Sequence, residues 1–300
     1  MKALIIGYGS IGRKHHLALE CLGFKVSIVS KSYDKNKIEC FKELYEANLE
    51  TFDLFVIANI TVDHYHTLKA IDSKVENKTI LVEKPLFETF KTCHLSGKND
   101  IFVAYLLRFH PLILDLKKII QQEPHIYFAE LNCSSYLPNW RDCDYRFNYS
   151  AKKELGGGVL LDLSHELDLA FFMFGKPQLL YAQNLKISEL EINSDDFAFM
   201  SLKSKDSLMH IKLDYFSKLT KREIILHSHT KTYHADLIDN KLHIYDKNAL
   251  LETKEYQSDT NKVLINLYKK VLKRDDSVCK FNEALEVLRL SDEVKRRVDG

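Results

Sequence analysis

The stretch Lys2-Ala3-Leu4-Ile5-Ile6-Gly7-Tyr8-Gly9-Ser10-Ile11-Gly12 opens the chain and carries its strongest fold signal. Residues 2–6 are too short and too apolar for an alternating surface strand, and suit a strand of a parallel sheet buried on both faces. A G-x-G-x-x-G pattern comes next. Beyond it Ile11, Leu17, Leu19 and Leu22, with Gly23 as a stop, predict a helix, and residues 25–30 a second strand. That is a βαβ unit with its glycines at the first turn, the context of a dinucleotide-binding loop. Gly7 permits the tight turn, Gly9 lets backbone approach a pyrophosphate, and Gly12 allows close helix-to-strand packing. The N–H groups at the helix start, around Ser10 and Ile11, then serve as phosphate donors. A glycine turn without a ligand is the bland alternative.

About 20 residues past the glycines, a cofactor lacking a 2′-phosphate normally meets an Asp or Glu. Ser30, Lys31 and Ser32 stand there instead. A carboxylate repels a phosphate, whereas a lysine flanked by hydroxyls neutralises and hydrogen-bonds it, so NADP is expected ahead of NAD. The alternative is a solvated loop lysine beside Lys35 and Lys37.

Residues 53–60, 79–82 and 101–105 predict further strands, with helical material at 67–71 and 86–95 between them. Alternating β and α segments argue for a doubly wound parallel sheet whose ligands bind beyond the C-terminal ends of its strands. The residues leaving those ends are Asn59 to His64, Glu83-Lys84-Pro85 and Arg108-Phe109-His110-Pro111. Lys84 precedes a proline, which restricts its backbone to extended conformations, and its ammonium can stabilise an alkoxide where a hydride arrives or departs. A surface lysine is the alternative reading.

Three hundred residues exceed the usual domain size of about 100–200, so two domains are expected, at 1–112 and 113–300. With 43 Lys and Arg against 42 Asp and Glu, no net field draws a polyanion or an anionic membrane, and a small-molecule partner is expected rather than nucleic acid. The six cysteines show no C-x-x-C spacing and read as free thiols of a reducing compartment. The first apolar run is too short for a signal-peptide core, and no run approaches the roughly 18 residues of a membrane span. A cytoplasmic location is therefore the expectation.

Taken together, several motifs resemble the glucose-fructose oxidoreductase/inositol dehydrogenase family, also called Gfo/Idh/MocA. They are Gly7-Tyr8-Gly9-Ser10-Ile11-Gly12-Arg13-Lys14-His15, the Ile57-Ala58-Asn59 strand end with His64 five residues on, Glu83-Lys84-Pro85, Leu107 to Pro111, and Gly156-Gly157-Gly158 running to Asp162, His165 and Asp168. The resemblance covers residues 1–175. It implies a Rossmann domain followed by an α/β domain with a large, open, mostly antiparallel sheet, commonly used for homo-oligomerisation, and redox chemistry at a sugar or cyclitol carbon. Carried onto this chain, it implies cofactor contacts from the glycine loop, Arg13, Asn59, His64 and Glu83, and a substrate contact from Arg108.

In the second half, a helix from Pro111 to about residue 122 leads to a strand over 125–136, then to Trp140, Arg141, Tyr145, Arg146 and Tyr149. Aromatic rings beside arginines can stack on a sugar or base and clamp a carboxylate or phosphate, so Trp140, Arg141 and Tyr145 are candidate substrate contacts; a plug of interface aromatics is the alternative. The glycine run introduces one helix to Phe174, apolar nearly all round and therefore buried. Asp162 and His165, three apart, fall on one face of it, with His165 as the proton-moving group and Asp162 orienting it. Family members space that pair by four; here Glu166 takes the fourth position and can share the task. Strands are predicted at 179–187, 196–203, 207–215, 221–228 and 231–245, and helices at 259–273 and 282–297. His227, His229 and His234 lack a ligand set, so no metal is expected.

The reading is an NADP-dependent oxidoreductase acting on a secondary alcohol or ketone of a sugar, sugar acid or nucleotide-linked sugar, in a pathway such as bacterial surface-glycan synthesis. Lys84 and His165 are expected to converge on the reacting oxygen. A non-catalytic NADP-binding redox sensor and a reductase of a non-sugar ketone or imine are the rivals.

Overall fold

The computed structural model describes residues 1–33, 37–247 and 249–297. The chain begins β1 (Lys2–Ile6), α1 (Ser10–Cys21), β2 (Lys25–Val29), β3 (Cys40–Phe41), β4 (Leu54–Ile57), α2 (His64–Asp72), β5 (Thr79–Val82) and β6 (Asp100–Val103). These strands pair in parallel in the order β6-β5-β4-β1-β2-β3, so the order reverses between β1 and β4. Such a reversal opens a crevice at the strands' C-terminal ends, the usual ligand position in this architecture. Nearly every residue of β1, β4 and β5 is buried, which explains their unbroken apolar runs.

The chain continues through α3 (Pro111–Gln122), β7 (Ile126–Tyr136), α4 (Val159–Asp162), α5 (His165–Phe174), β8 (Gln178–Leu185), β9 (Phe197–Ser204), β10 (Ser207–Asp214), β11 (Phe216–Ser228), β12 (Thr232–Asp236), β13 (Lys241–Tyr245) and β14 (Leu250–Glu255). The eight strands form one sheet in the order β14-β13-β12-β11-β7-β10-β9-β8, antiparallel except for β10 against β7. Ala129, Leu131, Met200, Leu202, Met209 and Ile211 are buried, and α4 and α5 pack on the strands that carry them. The expected fold, a Rossmann sheet plus a large, mostly antiparallel sheet, is the one observed.

The last elements are α6 (Thr260–Leu272), β15 (Cys279–Lys280) and α7 (Phe281–Arg297). Contacts divide the chain into a first unit, Met1–Phe109 with Asp259–Leu285, and a second, His110–Ser258 with Glu286 onward. The division expected at residue 112 therefore omits a return: β15 pairs with β6, and Val263, Leu264, Leu267, Tyr268 and Val271 of α6 join the core built by Leu19, Phe24, Ile5 and Val56. An apolar helical stripe reports that a helix is buried but not against which sheet.

Three local expectations differ from the structure. Residues 86–95 form no helix but bends and coil, with Leu86 and Phe87 fully buried at their start. The stretch 231–245 is two strands, with Asn240 at a left-handed φ of 56° in the turn between them. The single helix after the glycine run is broken at Leu163 and Ser164. Among the described residues no helix is long and apolar enough to cross a membrane.

Leu267 is fully buried in the first unit's core. Leu267→Ala is expected to lower the unfolding free energy by about 2–5 kcal/mol in urea titrations.

Candidate active site

In the first unit, the end of β1 runs into Gly7, whose φ of 95° is left-handed. A Cβ on Gly12 would lie 2.2 Å from the Gly7 carbonyl oxygen, so only glycine lets α1 sit this close to the turn. Around Gly9, by contrast, 4 Å of space is open, and no side chain caps the N-terminus of α1. The result is a backbone cradle of N–H donors with a helix dipole behind it. Ser10 is exposed and Ile11 half-buried at its rim, and the Arg13 guanidinium lies 5.7 Å from the centre of the Tyr8 ring. Across the crevice, Asn59 donates from Nδ2 to Thr67, while its buried Oδ1 has no partner among the described residues, an acceptor available for a ligand.

Ser30 and Lys31 follow β2. Ser30 is buried, and its backbone N–H donates to the Phe41 carbonyl; Lys31 is 81% exposed, with its ammonium 3.1 Å from Glu43. Lys35 lies outside the described residues. At the end of β5, Glu83 is buried: His15 Nε2 stands 2.7 Å from its Oε1, and the Lys84 backbone N–H donates to its Oε2. Lys84 itself is half-buried, and its peptide to Pro85 is cis.

Two residues expected to meet ligands are committed elsewhere. His64 is buried with Nδ1 facing the Pro85 and Leu86 carbonyls and Nε2 facing that of Asn59, which ties the ends of β4 and β5 together rather than serving a cofactor. Burial holds its imidazole below the ordinary 6.5, against the pull of those carbonyls. Arg108, 1% exposed, is forked onto both carboxylate oxygens of Glu283 at 3.0 Å each, a structural ion pair and not a substrate contact.

In the second unit, Asp162 and His165 do not share one helix face. Asp162 ends α4 and His165 starts α5, because Ser164 and Glu166 bond three residues back, to Leu161 and Leu163, where a continuous helix bonds four back. Asp162 accepts from the Tyr215 hydroxyl at 2.6 Å and neighbours that of Tyr149. Burial and the Asp162 carboxylate push both phenols upward, so both remain proton donors. The glycine run makes this possible: a Cβ on Gly157 would lie 2.1 Å from the Tyr149 carbonyl oxygen.

Glu166 cannot share the work of Asp162, since it is buried in a bidentate pair with Arg222, at 2.6 and 3.1 Å. Arg141 is exposed, 5.1 Å over the Tyr149 ring, beside a cavity of about 330 Å³ bounded also by Asp144, Asn148 and Tyr149. Trp140 packs edge-on against Tyr215 and donates to Ser135, and the Tyr145 hydroxyl accepts from the Glu191 N–H, so both brace the loop. Tyr215 was not singled out from the sequence, and no spacing announces it.

No protein-family model matches the chain. It is similar to the 2,7-anhydro-N-acetylneuraminate hydratase of Escherichia coli (strain K12), 23% identical over 226 residues, or 66% of this chain and 58% of that protein. The match thus spans less than two thirds of that relative's length. Among solved structures, it is similar to an Agrobacterium radiobacter oxidoreductase in complex with NAD+, L-tartaric acid and magnesium, with a TM-score of 0.84 at 14% identity over 100% of this chain and 96% of that one. It is also similar to the WlbA dehydrogenase from Bordetella pertussis in complex with NADH and UDP-GlcNAcA, with a TM-score of 0.77 at 17% identity over 100% and 96% of the two chains. Both neighbours are oxidoreductases bound to a nicotinamide dinucleotide, and the chain has their fold.

The pH dependence of stability follows from His64. Unfolding releases an imidazole that takes up a proton near 6.5, a proton the folded site resists, so stability is complete above 6.5 and falls as the pH drops below it. Urea unfolding across neutral to mildly acidic pH is expected to show this loss, with a shallower slope in His64→Gln.

Proposed function

We propose that this chain is a cytoplasmic oxidoreductase that moves a hydride between a nicotinamide dinucleotide and a secondary alcohol or ketone of a sugar, sugar acid or nucleotide-linked sugar. The observation that carries the reading is the cradle: Gly12 pressed on the Gly7 carbonyl, open space at Gly9, an uncapped α1 and the unpartnered Asn59 Oδ1, all at the reversal between β1 and β4. These residues fit a pyrophosphate and its riboses. When bound, the nicotinamide supplies or accepts the hydride.

The protein's own part is electrostatic and acid–base. Lys84, carried at the end of β5, stabilises negative charge growing on the reacting oxygen. His165, at the start of α5, gives or takes the proton of that oxygen. Asp162, held by Tyr215, accepts a hydroxyl of the substrate and keeps it in register. Arg141 offers an exposed guanidinium to an anionic group of the substrate. The neighbours bound to L-tartaric acid and to UDP-GlcNAcA support an anionic, polyhydroxylated substrate.

NADP is the preferred cofactor in this reading, its 2′-phosphate drawing Lys31 away from Glu43, with Ser30 alongside. Lys31→Ala is expected to weaken NADPH binding about tenfold while leaving NADH unchanged in fluorescence titrations. Equal effects on the two would assign NAD instead. Self-association through the open face of the second unit's sheet belongs to the same reading, since Phe128, His210 and Phe199 form an aromatic row there, at 4.9 and 5.4 Å between ring centres.

Lys84→Ala and His165→Ala are each expected to cut kcat by about 10²–10⁴-fold with cofactor affinity nearly unchanged. Near-normal turnover in both removes the mechanism and leaves a nucleotide-binding sensor.

A further inference from the structure

A buried chain of three side chains in the first unit is not used by the roles assigned above. Tyr268 comes from α6, His15 from α1 and Glu83 from the end of β5; Tyr268 and His15 are wholly buried and Glu83 nearly so. The Tyr268 hydroxyl is 2.5 Å from His15 Nδ1, and His15 Nε2 is 2.7 Å from Glu83 Oε1. The other carboxylate oxygen of Glu83 accepts the backbone N–H of Lys84 at 3.2 Å.

With the imidazole neutral, one proton arrangement satisfies every atom. The Glu83 carboxylate only accepts, so Nε2 carries the proton and Nδ1 is left as a lone pair, which requires Tyr268 to donate. Tyr268 suits that part, because burial and then the charge of Glu83 push its phenol well above the usual range. His15 is thus held in a single tautomer from one side and locks Glu83 from the other. The carboxylate in turn fixes the backbone from which Lys84 projects.

We propose that His15, with its tautomer set by Tyr268, is a positioning residue that orients Glu83 and the Lys84 backbone for the nicotinamide end of the dinucleotide. The proposal rests on the nucleotide-binding reading above. It also assigns a purpose to the return of α6, which brings Tyr268 to a helix 253 residues earlier in sequence. A merely structural plug would need the three groups to be satisfied but would not distinguish which nitrogen of His15 matters.

The test uses the full chain with NADH and with ADP-ribose, which lacks the nicotinamide. His15→Gln places an amide nitrogen where Nε2 stands and keeps the donor to Glu83; His15→Asn places one nearer Nδ1 and loses it. The Gln variant is expected to bind NADH within about threefold of the parent and the Asn variant about tenfold or more weakly, with ADP-ribose affinity equal in all three. Equal NADH losses in both variants, or ADP-ribose losses that track them, overturn the proposal. Should the Asn variant fail to fold, the isosteric Tyr268→Phe carries the same comparison, and an NADH loss no larger than its ADP-ribose loss overturns it.

Imidazole ¹⁵N spectra of the ligand-free protein give a readout independent of binding. A protonated Nε2 with a bare Nδ1, whose resonance moves in Tyr268→Phe, is expected; a protonated Nδ1 contradicts the proposal. A parent chain that binds neither ligand overturns the nucleotide reading along with the proposal, whereas unequal behaviour among variants of a binding parent concerns His15 alone.

Discussion

The contact between Gly12 and the carbonyl of Gly7 is the constraint on which the first unit depends. A single methyl group on Gly12 would stand 2.2 Å from that oxygen. The approach seats α1 against the end of β1, leaving its N-terminal amides bare over the crevice beside β4. The same seating carries His15, three residues further along the helix, to the carboxylate at the end of β5. One packing event therefore places both the anion cradle and the support under Lys84, and neither can be moved without the other.

The second unit manages its charges differently. Three acidic side chains, Asp162, Glu166 and Asp168, are buried around α4 and α5, with Asp195 half-buried beside them. Burial of that kind is tolerated only with partners. Glu166 has Arg222, and removing one member of such a pair typically costs about 3–5 kcal/mol. Asp195 accepts the Leu160 N–H, and desolvation raises its carboxyl. Asp162 has two phenols among its partners, the Tyr215 hydroxyl at 2.6 Å and that of Tyr149, which solvate its charge as donors.

Much of the first unit was legible in the sequence because its signals are local. The apolar runs of β1, β4 and β5 and the glycine spacing each depend on a few consecutive residues, and together they dictate the parallel order. The residues that leave the strand ends were legible for the same reason, since they can be read directly from the strands. What stayed hidden depends on contacts remote in sequence. Arg108 looks like a functional arginine until Glu283 is brought to it, and His64 looks like a ligand contact until its two nitrogens are seen on three carbonyls. The break at Leu163 and Ser164 changes which side chains share a face, yet no proline or glycine marks it. Tyr215 and Tyr268 are ordinary aromatic positions until the fold sets their hydroxyls on Asp162 and His15.

Isotope transfer measures the proposed hydride step between a nicotinamide and a sugar carbon without a prior choice of substrate. The purified chain is incubated with C4-deuterated NADPH or NADH and a set of oxidised nucleotide sugars and sugar acids, and the products are weighed by mass spectrometry. One deuterium on a sugar carbon, absent with Lys84→Ala, is the expected outcome. Saturable dinucleotide binding with no deuterium leaving the nicotinamide for any sugar would contradict it.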